Sequence, residues 1–215
     1  KAHPNHQETR AVCDMLAERL LDCWHDCADG DWPWFEDSVT YENARLSQAL
    51  ILCGHSMAHP RALEVGLESL RWLANHQKSP SGYFRPIGTN GFHERNGLRA
   101  EFDQQPVEAQ AMVSASLEAY RATHDEFWWR EARRAFDWFL GRNDLGIPLH
   151  DPSSGGCRDG LHEDRVNENQ GAESTLSWLM SLLLMNDLQM EQTLGELAAD
   201  KHTGQRPVKK AISSS

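Results

Sequence analysis

The feature that most constrains this chain is an internal repeat with a period of about 66 residues. Glu42 and Glu108 stand 66 residues apart, and Glu173 follows Glu108 after a further 65 residues. The same 66-residue interval separates Asp37 from Asp103. Repetition at this period is typical of stacked helical hairpins, in which each hairpin covers the apolar face of its neighbour. The repeat therefore favours a helical solenoid or ring.

The spacing of apolar residues supports that interpretation. Apolar side chains recur every three or four residues and predict six helices, over residues 8–27, 41–57, 60–77, 105–123, 125–142 and 170–186. A weaker seventh helix is predicted over 187–199. Pro60 and Pro106 suit the first turns of their helices. Only residues 82–94 suggest strand, with Asn90-Gly91 as a tight hairpin turn.

The connections between the predicted helices set their arrangement. The second and third helices, and the fourth and fifth, are joined by about two residues and must be antiparallel neighbours. The remaining links are long, so they fall together on one face. We predict an all-α fold, an α/α toroid or arc of about three helical hairpins, with the second, fourth and sixth helices inside. Residues 1–200 form the single α/α-hairpin domain, and residues 201–215 are predicted to be a disordered tail.

Charge and composition exclude several classes of partner. The chain has 21 Lys and Arg against 32 Asp and Glu, a formal net charge of -11, which disfavours nucleic acid. No apolar stretch reaches the roughly 20 residues of a membrane span. Five cysteines, an odd number of which four fall in predicted helices, indicate reduced thiols. We expect a cytoplasmic protein with no nucleic-acid partner and no membrane span.

The three long loops combine aromatic rings with carboxylates, amides and guanidinium groups. This mixture suits a sugar, because rings stack on C–H surfaces while planar polar groups bind pairs of hydroxyls. The candidate substrate-binding residues are Trp34, Tyr41, Glu42, Arg45, Tyr83, Arg85, His93, Arg99, Gln105, His162, Asn169, Gln170 and Glu173.

The repeated carboxylates are also candidates for catalysis. A glycosidase uses one protonated carboxyl group as an acid and one ionised carboxylate as a base or nucleophile. Asp37, Asp103 and Glu108 are the leading candidates for these roles. A carboxylate at the start of a helix is equally typical of a cap or of a partner for the helix dipole. The sequence leaves both interpretations open.

Signals for metals and cofactors are weak. Cys23, His25 and Cys27, or His55 with His59, lack a second ligand pair at a recognised interval. Glycine-rich phosphate loops and the Gly-x-Ser-x-Gly turn do not occur. We therefore predict no metal and no cofactor.

Several sequence strings together resemble a known family. They are WFED (34–37), YENARL (41–46), FDQQPVEA (102–109), FDWFLGRND (136–144), and GGCRDGL (155–161) continuing to NENQGAES (167–174). Over residues 31–185 they resemble the helical region that follows a family 4 type glycosyltransferase domain in many bacterial proteins. That region is similar to the six-hairpin glycosidase superfamily of α/α toroids, which includes glycoside hydrolases, uronyl hydrolases and sugar epimerases. The resemblance implies carbohydrate handling in a bacterium.

Two main hypotheses follow. The chain shows no βαβ pattern for a nucleotide sugar, so we do not expect it to transfer a sugar by itself. In the first hypothesis it is an accessory domain of a glycosyltransferase that holds an oligosaccharide or polysaccharide. In the alternative it is a self-sufficient glycoside hydrolase or sugar epimerase, with Asp103 and either Asp37 or Glu108 as acid and base. A plain helical scaffold predicts no sugar affinity.

The partner at the open edge of an arc is a separate question. Either a missing glycosyltransferase domain or a second copy of the chain would cover that edge.

Overall fold

Six helices dominate the computed structural model, which describes residues 7–203. They are α1 (Gln7–Cys27), α2 (Ala44–Ser56), α3 (Pro60–His76), α4 (Pro106–Thr123), α5 (Glu126–Phe139) and α6 (Ala172–Thr203). The all-α prediction is confirmed, and the first five helices begin and end within three residues of their predicted bounds. All five cysteines are free thiols, as predicted.

The last helix is longer than the sequence pattern indicated. α6 runs without interruption through 187–199, so the prediction of a separate seventh helix is wrong. Asn186 and Asp187 break the apolar periodicity, but neither residue stops a helix as proline would. Residues 201–203, the first of the predicted tail, belong to α6. Residues 204–215 lie outside the described part of the chain.

Two small antiparallel sheets connect the loops. β1 (Ser38–Val39) pairs with β2 (His93–Glu94), and β3 (Gly160–Leu161) pairs with β4 (Val166–Asn167). Asn90-Gly91 lies in a turn, closed by the Phe92 N–H donating to the Gly88 carbonyl at 3.1 Å, but the predicted hairpin is wrong, because the partner strand of β2 is β1. β2 therefore pairs with the first long loop and not with its sequence neighbours.

The helices form two layers. α2 packs against α3, α4 packs against α5, and α4 also packs between α2 and α6, while α1 covers α2 and α3. The inner layer is therefore α2, α4 and α6, as the repeat predicts. At Gly54 a Cβ atom would lie only 2.5 Å from the backbone nitrogen of Leu63. Glycine is required there because α2 and α3 approach too closely for a side chain.

α4 occupies the centre of the inner layer. Thirteen of its 18 residues are buried, and many are alanine or serine, which allows neighbouring helices to pack closely. Within residues 7–203, no comparable packing joins α2 to α6. Leu176, Leu179, Met180 and Leu183 of α6 are largely exposed. Closure of this row of helices into a toroid remains a prediction.

The three long loops, residues 28–43, 77–105 and 140–171, contact one another at one end of the helices. The β1–β2 pairing joins the first loop to the second, and the Gln104–Leu161 bridge joins the second loop to the third. We call this end of the molecule the loop face. Among the described residues, no helix has both the length and the hydrophobicity needed to cross a membrane.

Candidate functional site

The three repeated glutamates lie at the N-termini of the inner helices. Glu42 immediately precedes Asn43, the N-cap of α2, while Glu108 and Glu173 lie in the first turns of α4 and α6. Negative charge at these positions complements the positive ends of the helix dipoles. Seven residues at or beside these helix starts form what we call the acidic centre: Tyr41, Glu42, Asp103, Gln105, Glu108, His162 and Glu173.

Glu108 joins two inner helices within the acidic centre. Its carboxylate accepts a hydrogen bond from the Glu42 N–H and another from Asn43 Nδ2 at 3.1 Å. Burial raises the pKa of Glu108 to about 7, although these hydrogen bonds act in the opposite direction. Glu108 is 2% exposed, so its contacts are with the start of α2 and not with solvent. Its observed role is to hold α2 against α4.

Tyr41 presents an aromatic ring to solvent beside a carboxylate. The Tyr41 hydroxyl donates to Glu173 Oε2 at 2.7 Å, and the residue is 46% exposed. Partial burial and the neighbouring Glu173 raise the pKa of Tyr41, so the phenol keeps its proton. The bond links the entry to α2 with the first turn of α6. Tyr41 and Glu173 are therefore brought together, as the site prediction requires.

Asp103 and His162 form the second accessible pair of the acidic centre. Asp103 Oδ1 lies 2.5 Å from His162 Nδ1, and the side chains are 43% and 29% exposed. The contact depends on β3, which crosses the residues that lead into α4. At Gly160 a Cβ atom would lie 2.3 Å from the Gln104 carbonyl oxygen. Only glycine allows β3 to approach closely enough to place His162 beside Asp103.

Two further predicted residues lie at the same helix ends. Gln105 occupies the N-cap position of α4, and its buried Oε1 has no hydrogen-bond partner among the described residues. Arg45 donates to Gln48 Oε1 at 2.8 Å and also to Gln110 across the α2–α4 interface. Other side chains therefore already bind Arg45, whereas the side-chain oxygen Oε1 of Gln105 can still accept a hydrogen bond.

Asp37 lies in a different environment from the other two catalytic candidates. Its carboxylate is 3.4 Å from Arg95 Nη1 and its side chain is 78% exposed. Arg95 also donates to the carbonyl of Cys27 at the end of α1. No hydrogen bond or ion pair in residues 7–203 joins Asp37 to Asp103 or Glu108. The assignment of Asp37 as an acid or base remains a prediction.

Trp34 cannot act as the predicted sugar platform in this structure. It has no exposed surface, and its ring stacks on Trp72 with the centroids 5.5 Å apart. The reason is the hydrophobic effect: burial of a large aromatic ring in the core is strongly favourable, even when the residue belongs to a loop. Trp32 is also buried, at 6% exposure. Both tryptophans anchor the first loop to α3.

Tyr83 and Arg85 contact Asp144, a residue that the loop composition did not single out. The Tyr83 hydroxyl donates to Asp144 Oδ1 at 2.8 Å, and Arg85 Nε donates to Oδ2 at 3.1 Å. Gln104 Nε2 donates to the same Oδ2 at 2.6 Å. Arg85 also pairs with Glu101 at 2.7 Å. These contacts make Tyr83 and Arg85 supports of the second loop.

Asn169 and Gln170 hold the third loop together. The Asn169 side chain donates to Asp159, and Gln170 Nε2 donates to Asp151 Oδ2 at 3.0 Å. Ser154 donates in turn to Gln170 Oε1 at 2.7 Å. The described contacts of both amides therefore lie within the loop, where they order the approach to α6.

His93 and Arg99 lie apart from the acidic centre, at the C-terminal end of α3. They line an open cleft with a cavity volume of about 560 Å³. We call it the rim cleft; its walls also include Asn75, His76, Lys78, Ser79, Pro80, Arg85 and Glu101. Burial lowers the pKa of His76 to about 4 and also lowers that of His93, so both imidazoles are neutral near pH 7.

A second cavity of about 280 Å³ lies at the C-terminal end of α5. Its walls carry four arginines, of which Arg133 and Arg142 pair with Asp137, and Arg134 pairs with Glu131. Among residues 7–203, no group of three or more His, Cys, Asp or Glu side chains is arranged to hold a metal ion.

Comparisons with known proteins leave the family open. No protein-family model matches this chain, and no curated protein sequence matches it. The similarity to the helical region of family 4 type glycosyltransferase proteins therefore remains a prediction from the motifs.

Proposed function

We propose that this chain binds carbohydrate on the acidic centre, as an accessory domain of a bacterial glycosyltransferase. The observation that carries the proposal is the exposed Tyr41 ring, hydrogen-bonded to Glu173 at the N-termini of the inner helices. The association with a glycosyltransferase rests on the resemblance of the motifs. Under this proposal, the exposed face of α6 contacts a partner, either a transferase domain or a second copy of the chain.

The chemistry of the acidic centre suits a neutral sugar. A sugar hydroxyl donates to a carboxylate, and the apolar C–H face of the ring packs on an aromatic surface. Asp103 and Glu173 supply the acceptors, while the Tyr41 ring supplies the surface. An anionic ligand would be repelled by the surrounding carboxylates. Neutral oligosaccharides are therefore the preferred ligands of this proposal.

A second function is favoured by the Asp103–His162 contact. A partly exposed carboxylate beside an imidazole is an arrangement that moves protons in glycoside hydrolysis or epimerisation. Asp103 is the accessible group in that case. Glu108 is buried beneath the start of α2, so a substrate reaches it only if residues 41–43 move. Turnover by the purified chain separates this alternative from binding alone.

The proposal is tested by titrating the chain with neutral gluco- and manno-oligosaccharides in a calorimeter and analysing the same mixtures by chromatography. We expect at least one oligosaccharide to bind and Tyr41→Ala to weaken it about tenfold, because a stacked ring contributes on the order of 1 kcal/mol. Glu173→Gln tests the carboxylate that Tyr41 contacts. Glu163→Gln is the matched control, since Glu163 is exposed on the same face outside the acidic centre.

The outcomes are distinct. Binding without product release, weakened by Tyr41→Ala and unchanged by Glu163→Gln, supports the accessory role. Product release that is lost in Asp103→Asn replaces it with the enzymatic alternative. Absence of binding across the panel at millimolar concentrations overturns both and leaves the scaffold interpretation.

A further inference from the structure

The rim cleft differs in charge from the rest of this acidic chain. Its walls carry three permanent cations, Lys78, Arg85 and Arg99, against one carboxylate, Glu101. The whole chain has a formal net charge of -11. A local excess of positive charge on such a protein attracts anions to one place. The pairing of each cation decides which of them is available to a ligand.

Arg85 and Arg99 are paired very differently. Arg85 is engaged by Asp144 and Glu101. Arg99 is half-buried, and its hydrogen bond goes to the His76 carbonyl, a neutral group. Across residues 7–203 the structure shows no ion pair between Arg99 and a carboxylate. Glu101 and Asp144 act on Arg99 only through space, since neither forms an ion pair with it. A half-buried guanidinium without a direct counter-ion is unfavourable, so a bound anion would stabilise it.

The wall beside Arg99 is built from packed aromatic rings and includes a further donor, the Ser79 hydroxyl. The rings of His93 and His76 stack with centroids 5.0 Å apart, and the centroids of the His76 and Trp72 rings are 4.2 Å apart. Trp72 in turn stacks on the buried Trp34. Ser79 is a wall residue of the cleft and is only 4% exposed; its hydroxyl is buried and has no partner in the described structure. An unpartnered buried hydroxyl is costly unless a ligand engages it.

We propose that the rim cleft binds an oxyanion, with Arg99 as its principal ligand and Lys78 and Ser79 as supporting donors. The cavity volume is in the range of small-molecule sites, about 300–1,000 Å³, and exceeds what a bare phosphate ion fills. The oxyanion is therefore the phosphate or carboxylate of an organic molecule about as large as a monosaccharide. This inference goes beyond glycan binding at the acidic centre and does not depend on it.

Calorimetric titration with four small molecules tests the proposal. The probes are inorganic phosphate, glucose 6-phosphate, glucuronate and glucose. We expect glucose 6-phosphate or glucuronate to bind and glucose not to bind. Arg99→Gln should weaken the charged ligand about tenfold or more, because it removes a charge-assisted hydrogen bond. Lys78→Gln, at an exposed side chain without a described ion pair, should weaken it less.

Arg130→Gln is the matched control, because it removes one exposed arginine from the neighbouring cavity at α5. Binding of the phosphorylated sugar but not glucuronate identifies a phosphate site, and the reverse identifies a carboxylate site. Equal binding of glucose, full binding in both Arg99→Gln and Lys78→Gln, or a loss only in Arg130→Gln overturns the proposal. If Arg99→Gln fails to fold, Lys78→Gln alone decides whether the cleft is the site.

Discussion

The acidic centre and the rim cleft lie on the same face but carry opposite charge. The acidic centre lies where the inner helices begin, and the rim cleft lies where the outer helix α3 ends. Carboxylates complement helix N-termini, and cations complement C-termini. The up-and-down arrangement therefore accounts for the charge separation without any ligand. What it does not account for is which groups remain without a protein partner.

That second distinction is more informative about function. In each region one charged group is committed to structure: Glu108 holds α2 in the acidic centre, and Arg85 is paired at the rim. In each region another group keeps unused bonding capacity, Asp103 in the centre and Arg99 at the rim. Charge alone would assign all four residues to a site. The partners and the burial of each side chain assign only two of them, Asp103 and Arg99, to a binding site.

Among these changes, removal of the Trp34 side chain should reduce stability most. The loss should affect the rim cleft, because Trp34 packs beneath the rings that form its wall. Trp34→Ala leaves a cavity in the core beneath Trp72 and should lower the free energy of unfolding by about 3–5 kcal/mol. Urea denaturation measures the change. The exposed Leu98, at 96%, provides the control Leu98→Ala, which should leave stability unchanged. A stable Trp34→Ala variant would contradict the role of Trp34 as a core anchor.

Asp144 joins the rim cleft to the segment that leads into α4, because it accepts from both Arg85 and Gln104. Asp144→Ala removes the buried carboxylate that pairs with Arg85 and one of the two acceptors of Gln104 Nε2, while both donors keep a contact to Glu101. It should destabilise the chain by about 3 kcal/mol. Asp164→Ala removes an exposed carboxylate of a surface ion pair and is the control, with an effect below about 1 kcal/mol. Equal effects in thermal or urea unfolding would show that the Asp144 contacts add no stability.

Glu108 should make stability depend on pH within the acidic centre. Its pKa is about 7 when folded, against an ordinary value of 4.5, so the folded chain retains a proton that the unfolded chain has lost. The stabilisation from this group therefore decreases as pH rises from about 4.5 to 7. Glu108→Gln cannot titrate, so its stability relative to wild type should rise over that interval by on the order of 2 kcal/mol.

Urea unfolding of both proteins at a series of pH values measures the difference. Glu163→Gln serves as the control at an exposed carboxyl group and should keep a constant offset from wild type. If the Glu108→Gln difference does not change with pH, the burial of Glu108 does not hold its proton.

Asp37 should show the smallest effect on stability. Its ion pair with Arg95 is exposed, so Asp37→Asn should change the free energy of unfolding by less than about 1 kcal/mol. Sugar binding at the acidic centre should also be unchanged. A loss of turnover in Asp37→Asn, in a chain shown to release product, would restore Asp37 as a catalytic residue and extend the acidic centre toward α1.

The repeat and the apolar periodicity were sufficient to predict the helices and their layers, because both depend on local spacing. The same repeat located Glu42, Glu108 and Glu173 at the helix starts. His76 in the wall of the rim cleft and Asp144, which holds Arg85, were missed, because their importance comes from contacts between distant segments. Trp34 was misassigned for a related reason, since a sequence position between helices does not reveal whether a loop folds back into the core.

Gly160 gives the acidic centre an unusual mutational constraint. This residue has no functional group, yet every coding change at its codon adds a Cβ atom where the Gln104 carbonyl oxygen already lies. Such a change displaces β3 and with it the imidazole that contacts Asp103. In a saturation library scored for ligand binding, position 160 should therefore tolerate as few replacements as the residues that contact the ligand.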